Sequence, residues 1–266
     1  MIDVISGGRL ISGFVRGIGA EYHSFGVNPT FSHERFHEAH DLIVRAWTEI
    51  GPFPFQGKHY EVQYVNLWPR PYQKPHPPIW IPSQGSKETI EWASHPDRRY
   101  TYLQTFSPVK VVERYLNQYR DTAKGYGYES KDSQLGWAVP VYVGETDDIA
   151  RREAKQHFEA FRNVFLRMPV EMLLPPGYTS RESLKNVMKA KAQLSADITL
   201  EQGIELGLFV CGSPETVLRA FENHFKEMRF GNLLVMCQFG TLPADLTRKN
   251  MELFAREVMP ALKKLN

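Results

Sequence analysis

A parallel α/β fold is predicted by three features of this sequence. Short apolar strands are each followed by a capped amphipathic helix, the grammar of βα units. The 266 residues suit one α/β barrel domain. Hydrophobic residues at 42% and charged residues at 23% are ordinary globular usage and exclude a disordered chain. A single domain spanning residues 1–266 is the expectation.

Five strands can be read: Leu10 to Val15, Ile79 to Ile81, Tyr100 to Gln104, Trp137 to Val143 and Leu233 to Phe239. Behind the first, Phe36, Ala39, Ile43, Ala46, Trp47 and Ile50 recur at helical spacing as a core stripe, with Ser32 as N-cap. Ser107 and Pro108 open a second helix whose face is Val112, Tyr115, Leu116, Tyr119 and Ala123, closed by Gly125. Ser213 and Pro214 open a third, carrying Val217, Leu218, Phe221, Phe225 and Met228. The stretch from Gly51 to Pro78 holds seven prolines and two glycines, so it is a loop excursion with at most short strand pairs. A loop of that length is functional or packed over a site. A mostly helical insertion fills Thr146 to Leu206, before the last strand, with Thr199 to Gln202 as a capping box.

Composition narrows the function classes. The net charge is +2 with signs interspersed, which gives no footprint for nucleic acid or an anionic membrane. No apolar run approaches the ~20 residues of a membrane span, and the N-terminus lacks a signal pattern, so a cytosolic protein is expected. Cys211 and Cys237, the two cysteines, read as reduced core or strand thiols.

Three places could carry chemistry. Ile79 to Ser86 runs from a buried strand through Gln84 and Gly85 into a helix. Free amides at a helix N-terminus beside a glycine suit a phosphate; the alternative is that Ser86 only caps its helix. Arg16 follows the first strand at the end where barrels build their active sites, and a guanidinium there suits phosphate or is a surface charge. The glycines around it, Gly7, Gly8, Gly13, Gly17 and Gly19, form neither a P-loop nor a dinucleotide fingerprint, since no Lys-Ser/Thr follows and Tyr22 replaces the third glycine. The third place is His33-Glu34-Arg35-Phe36-His37, which spells the zinc-peptidase motif, with His40 a turn further on. With Ser32 as N-cap, His33 would begin its helix, where a rigid zinc site is not held in register. Solvated imidazoles and no metal are expected there, and a zinc hydrolase is the discounted reading.

Taken in order, several segments resemble the bacterial luciferase-like flavin monooxygenases over essentially the whole chain. They are Asp3 to Leu10 leading to Gly13-Phe14-Val15-Arg16-Gly17, then Glu21 with Phe25-Gly26. Pro69 to Trp80 follows, then Gln84-Gly85-Ser86, Cys211 to Val217, and Phe254 to Pro260. The resemblance implies a (β/α)8 TIM barrel, here incomplete, because the opening motif matches the family's fourth strand and the first three βα units have no counterpart. The open edges of such a barrel favour self-association as a homodimer. For the flavin phosphate the resemblance implies Arg16, Gln84, Gly85, Ser86, Thr89 and, by inexact spacing, Arg35, with Arg16 and Ser86 converging on one site. Tyr22 and His23 are the candidate catalytic residues; ordinary loop packing is the alternative for both.

The implied chemistry is that reduced FMN and dioxygen form a flavin C4a-peroxide, which oxygenates a small organic substrate. The reduced flavin would come from a separate reductase, since no NAD(P)H fingerprint is present. Some relatives use the deazaflavin F420 instead, and a non-catalytic flavin-binding remnant is the reading from another class.

Overall fold

The structure is a computed structural model that describes residues 1–175, 177, 178 and 197–265. It divides into two compact units: Met1–Ile81 with the described residues of Met168–Lys191, and Pro82–Arg167 with the described residues of Ala192–Asn266.

In the first unit, strand β1 (Ser12–Gly13) runs parallel to the start of β4 (Ile79–Ser83), with Ser12 opposite Ile79 and Gly13 opposite Trp80. The ladder is shorter than the run from Leu10 to Val15 predicts, although Ser12 N–H to Pro78 O (2.8 Å) and Phe14 N–H to Trp80 O (2.9 Å) extend its bonding. The proline-rich excursion contains an antiparallel pair, β2 (Phe53–Gln56) and β3 (Glu61–Val65), as the reading of short strand pairs allows. This hairpin is tied to the helix Ser32–Thr48. The Glu38 carboxylate accepts the N–H groups of Lys58 (3.0 Å), His59 (2.9 Å) and Tyr60 (2.6 Å) at the turn, and the Arg70 guanidinium donates to Trp47 O and Glu49 O at the helix end. Before the first strand, buried Asp3 accepts from Gln73 N–H (2.9 Å) and Gln73 Nε2 (2.7 Å), which ties the opening segment to the end of the excursion.

Two expectations about that helix are corrected. Ser32 is its first residue and not its cap, because the 3-10 turn Pro29–Phe31 precedes it and Asn28 Oδ1 caps that turn at Thr30 N–H (2.9 Å). Its imidazole face is not solvated: His40 is buried edge-on against Phe14 at 5.6 Å, and His33 and His37 are half-buried. The expected core stripe is not buried: Phe36, Ala39, Ile43, Ala46 and Trp47 are half-buried, and Ile50 lies exposed beyond the helix end.

In the second unit, β6 (Leu135–Val143) pairs in parallel with β5 (Thr101–Thr105), with β8 (Asn232–Met236) along Gly136 to Pro140, and with β7 (Val210–Gly212) along Val141 to Val143. Strand β7 is not among the five read in the sequence. β6 is buried at every residue but Ala138, as a central parallel strand must be. Trp137 packs edge-on against Phe221 (5.9 Å) and Phe230 (5.9 Å), while Tyr142, Phe158, Phe209 and Phe239 form a second cluster with Phe158 and Phe209 stacked at 4.6 Å. Burying each such ring contributes about 1.5–3 kcal/mol.

The helices of this unit follow their patterns. Val109–Gly125 buries Val112, Leu116, Tyr119 and Ala123. Its start is one residue later than predicted, because the Ser107 hydroxyl is drawn back to Thr105 O (3.1 Å) and Gln104 Nε2 (2.9 Å). Gly127, at φ 86°, makes the turn expected of Gly125. Ser213 caps Pro214–Met228 and Thr199 forms the reciprocal box with Gln202, both as predicted. Of the insertion, the helices Asp147–Ala160, Val170–Leu173 and Leu200–Glu205 are present, and residues 179–196 lie outside the described residues. Cys211 is buried in β7, where burial pushes its thiol up to about 12; Cys237 is half-buried, and both are free. No helix of the described residues is long and apolar enough to cross a membrane.

Candidate cofactor site

In the second unit, β4 ends at Ser83 and the helix Lys87–Ser94 begins four residues later with Ser86 as N-cap. The Ser86 Oγ accepts Thr89 N–H (3.3 Å). Ser83 shapes the turn between them: its Oγ accepts the N–H groups of Gly85 (3.1 Å) and Ser86 (3.5 Å). Gly85 sits at φ 100°, and a Cβ there would collide with the Tyr115 ring. Both facts demand glycine, so its identity is explained by its own chain before any ligand is considered. Gln84 is exposed, and Thr89 and Ser86 are half-buried. The start of this helix thus gathers a serine hydroxyl and N-terminal amides with a positive dipole end.

The seat is already shared with a carboxylate that the sequence reading passed over. Ser86 Oγ donates to Glu88 Oε2 at 2.7 Å. An acidic residue in the first helical turn is the signal that could have found it. Behind the turn, Tyr102 OH donates to Gln104 Oε1 (2.7 Å) and Thr105 Oγ1 reaches Ser83 O (3.5 Å), a buried polar net joining β5 to the loop. Burial drives the Tyr102 phenol well above its ordinary value, so it remains a donor.

Arg16 belongs to the first unit. Its Nη1 donates to Ser32 Oγ (3.1 Å) and Tyr178 O (3.0 Å), and its guanidinium carbon lies 4.1 Å above the Tyr178 ring. Tyr22 OH donates to Arg16 O (2.6 Å), and its ring meets that of Tyr178 edge-on at 5.8 Å. Burial raises the Tyr22 phenol above its ordinary value. His23 is exposed in the helix Gly19–Ser24. Tyr178, from the helical insertion, is a partner that no spacing in the sequence announces.

Arg35 lies in a different setting of the same unit. It lines a cleft of about 340 Å3 with Gly26, Val27, Asn28, Phe31 and His59, and its guanidinium carbon is 5.4 Å from the Tyr60 ring centre. Glu34 of the zinc-like motif accepts from Lys58 Nζ (2.5 Å) and lies 3.0 Å from His59 Nε2. Among the described residues no group of three or more His, Cys, Asp and Glu is arranged to hold a metal ion.

Parallel strands, each followed by a helix, define the class of α/β proteins. Within it, the chain belongs to the luciferase-like monooxygenase family, whose description matches residues 1–230. It is 27% identical over 248 residues to the uncharacterized protein y4wF of Sinorhizobium fredii, covering 92% of this chain and 66% of that one. It is similar in fold to the oxygenating constituent of 3,6-diketocamphane monooxygenase from the CAM plasmid of Pseudomonas putida, solved with FMN. There the TM-score is 0.73 at 20% identity, over 97% of this chain and 73% of that one. Coenzyme F420-dependent tetrahydromethanopterin reductase from Methanopyrus kandleri gives a TM-score of 0.63 at 21% identity, over 98% and 76%. At such identities the structures speak for the fold alone. The chain spans 66% of the length of the Sinorhizobium protein.

Proposed function

We propose that this chain is the larger part of a flavin-dependent monooxygenase that uses reduced FMN and dioxygen to oxygenate a small organic substrate. The first three βα units of the family barrel would be the part that the chain does not span. The observation that carries the cofactor reading is the Ser83–Thr89 turn, where a capping serine and N-terminal amides follow a parallel strand. That donor set fits a phosphate monoester. Ser86 and the amide of Lys87 would hold it, and Gln84, Gly85 and Thr89 would border it. Phosphate would take the place of the Glu88 carboxylate on the Ser86 hydroxyl. In the first unit Arg16 is the cationic candidate.

Reduced FMN, when bound, supplies the electrons that activate dioxygen. The chain's share is to bind and orient it and to keep water away. His23 is the exposed imidazole available to move a proton, whereas the Tyr22 hydroxyl is engaged with Arg16 O.

The test is product formed per dioxygen consumed, with chemically reduced FMN and a panel of aldehydes, ketones and alkanes. FMN binding that loosens further in Ser86→Ala, with more dioxygen consumed than product formed because the wall that the first three βα units would supply is missing, is the expected result. Reduction of F420 by a secondary alcohol without oxygen uptake would establish the F420-dependent alternative, and FMN binding without turnover would leave a flavin-binding remnant.

A further inference from the structure

In the second unit the helix Asp147–Ala160 runs into a wider, π-helical turn, Phe161–Phe165. Such turns recur at functional sites. Asn163 clamps this one: its Nδ2 donates to Ile198 O (3.1 Å) and its Oδ1 accepts Ile198 N–H (2.9 Å). Phe161 packs on residues that follow two strands at their C-terminal ends, the end where barrels build their sites. Its ring lies 6.1 Å from that of Phe106, the residue after β5, and a Cβ on Gly240, beyond β8, would lie 3.1 Å from its own Cβ. Phe106 holds a left-handed φ of 50°, a strained conformation of the kind that clusters at ligand sites. The next residue after Phe161 is Arg162, half-buried, whose Nε is buried with no hydrogen-bond partner. Burial holds its guanidinium below the ordinary value, and among the described residues no acid offsets that burial. Arg120, also half-buried, shows the usual arrangement: it donates to Met228 O (2.7 Å) and faces Asp132 at 3.7 Å. Arg167, the other cation of the segment, is taken up by Asp197 (3.1 Å). A cation kept from water is costly until an anion completes it.

We propose that Arg162 receives the carboxylate of an organic acid whose apolar body lies against the Phe106–Phe161 pair, and that the substrate is an acid of this kind. That the acid is oxygenated rests on the monooxygenase reading; that it binds does not. One planar guanidinium matches one carboxylate in charge and in its fork of donors. A phosphate dianion matches less well, because Arg167 is already paired with Asp197.

Benzoate, its neutral isostere benzamide and inorganic phosphate are titrated separately into the full chain by calorimetry, without flavin. Benzoate is expected to bind saturably and more tightly than either of the others. Arg162→Met, which keeps an unbranched side chain without the charge, should weaken benzoate by roughly ten- to a hundredfold. Its urea midpoint should stay level or rise, because the charge removed had no partner in the chain. No saturable benzoate binding, equal binding of benzamide, tighter binding of phosphate, or unchanged benzoate affinity in Arg162→Met would each overturn the proposal. A lowered urea midpoint in that variant would overturn it too, since the guanidinium would then serve the fold. Benzoate held through Arg162 by a chain that does not bind reduced FMN would uphold the acid site and defeat the monooxygenase reading. FMN binding without benzoate binding would do the reverse.

Discussion

The carboxylate of Glu88 sits 2.7 Å from the hydroxyl of Ser86, the residue that caps the helix in which Glu88 lies. A helix start that would attract a phosphate is therefore occupied by an acid of the same chain. The acid stabilises the free protein through the helix dipole and competes with any anion that arrives.

Replacing Glu88 with Gln should move two measurements in opposite directions. Stability should fall by about 0.3–1 kcal/mol as the dipole loses its anion, read from the urea midpoint. Affinity for FMN should rise by about two- to fivefold, the same energy released from competition. A fall in both would mean that Glu88 supports the ligand.

Arg16 carries structure whatever else it does. Arg16→Ala removes the bonds of a charged donor to Ser32 Oγ and Tyr178 O and the stacking on Tyr178, and takes a donor from the buried Ser32 hydroxyl. A loss of about 2–3 kcal/mol is expected by urea denaturation. Arg16→Lys should recover only part of it, since an ammonium cannot hold both acceptors in one plane. If stability is unchanged in the Ala variant, the guanidinium is held for a ligand alone.

His157 sets an acid limit on the second unit. It is 5% exposed, its Nδ1 lies 2.8 Å from Thr241 Oγ1, and burial holds its imidazole below the ordinary value. The unfolded imidazole titrates near 6.5, so the folded state is favoured above that pH. This stability is lost progressively as pH falls through about 6.5 towards the depressed folded value. Half-buried His224 is shifted in the same direction by burial and adds to the effect. The urea midpoint should fall between about pH 7.5 and 5.5, and the fall should be smaller in His157→Gln.

Much of the fold is legible in the sequence because parallel strands and capped helices write local signatures. Ser213 with Pro214, and Thr199 with Gln202, announce their helices by chemistry confined to four residues. The strand Val210–Gly212 escaped because its three residues run straight into that cap and leave no period to count. Ser32 misled for the opposite reason. It looks like a cap, yet its hydroxyl serves Arg16, a partner sixteen residues away. The Ser86 turn could be read from its own residues, whereas Tyr178 beside Arg16 and His59 in the Arg35 cleft are brought there by folding, which no spacing records.

The grip of Glu38 on the amides of Lys58, His59 and Tyr60 has a bearing on how this protein can be recombined with its relatives. A hairpin exchanged between Gly51 and Asn66 alone would arrive without the acid that shapes its turn, unless the recipient helix happened to present one at the same place. The heritable block is the helix together with the hairpin, with its natural seam before Pro29. A chimera joined there should keep the turn, and one joined at Gly51 should lose it.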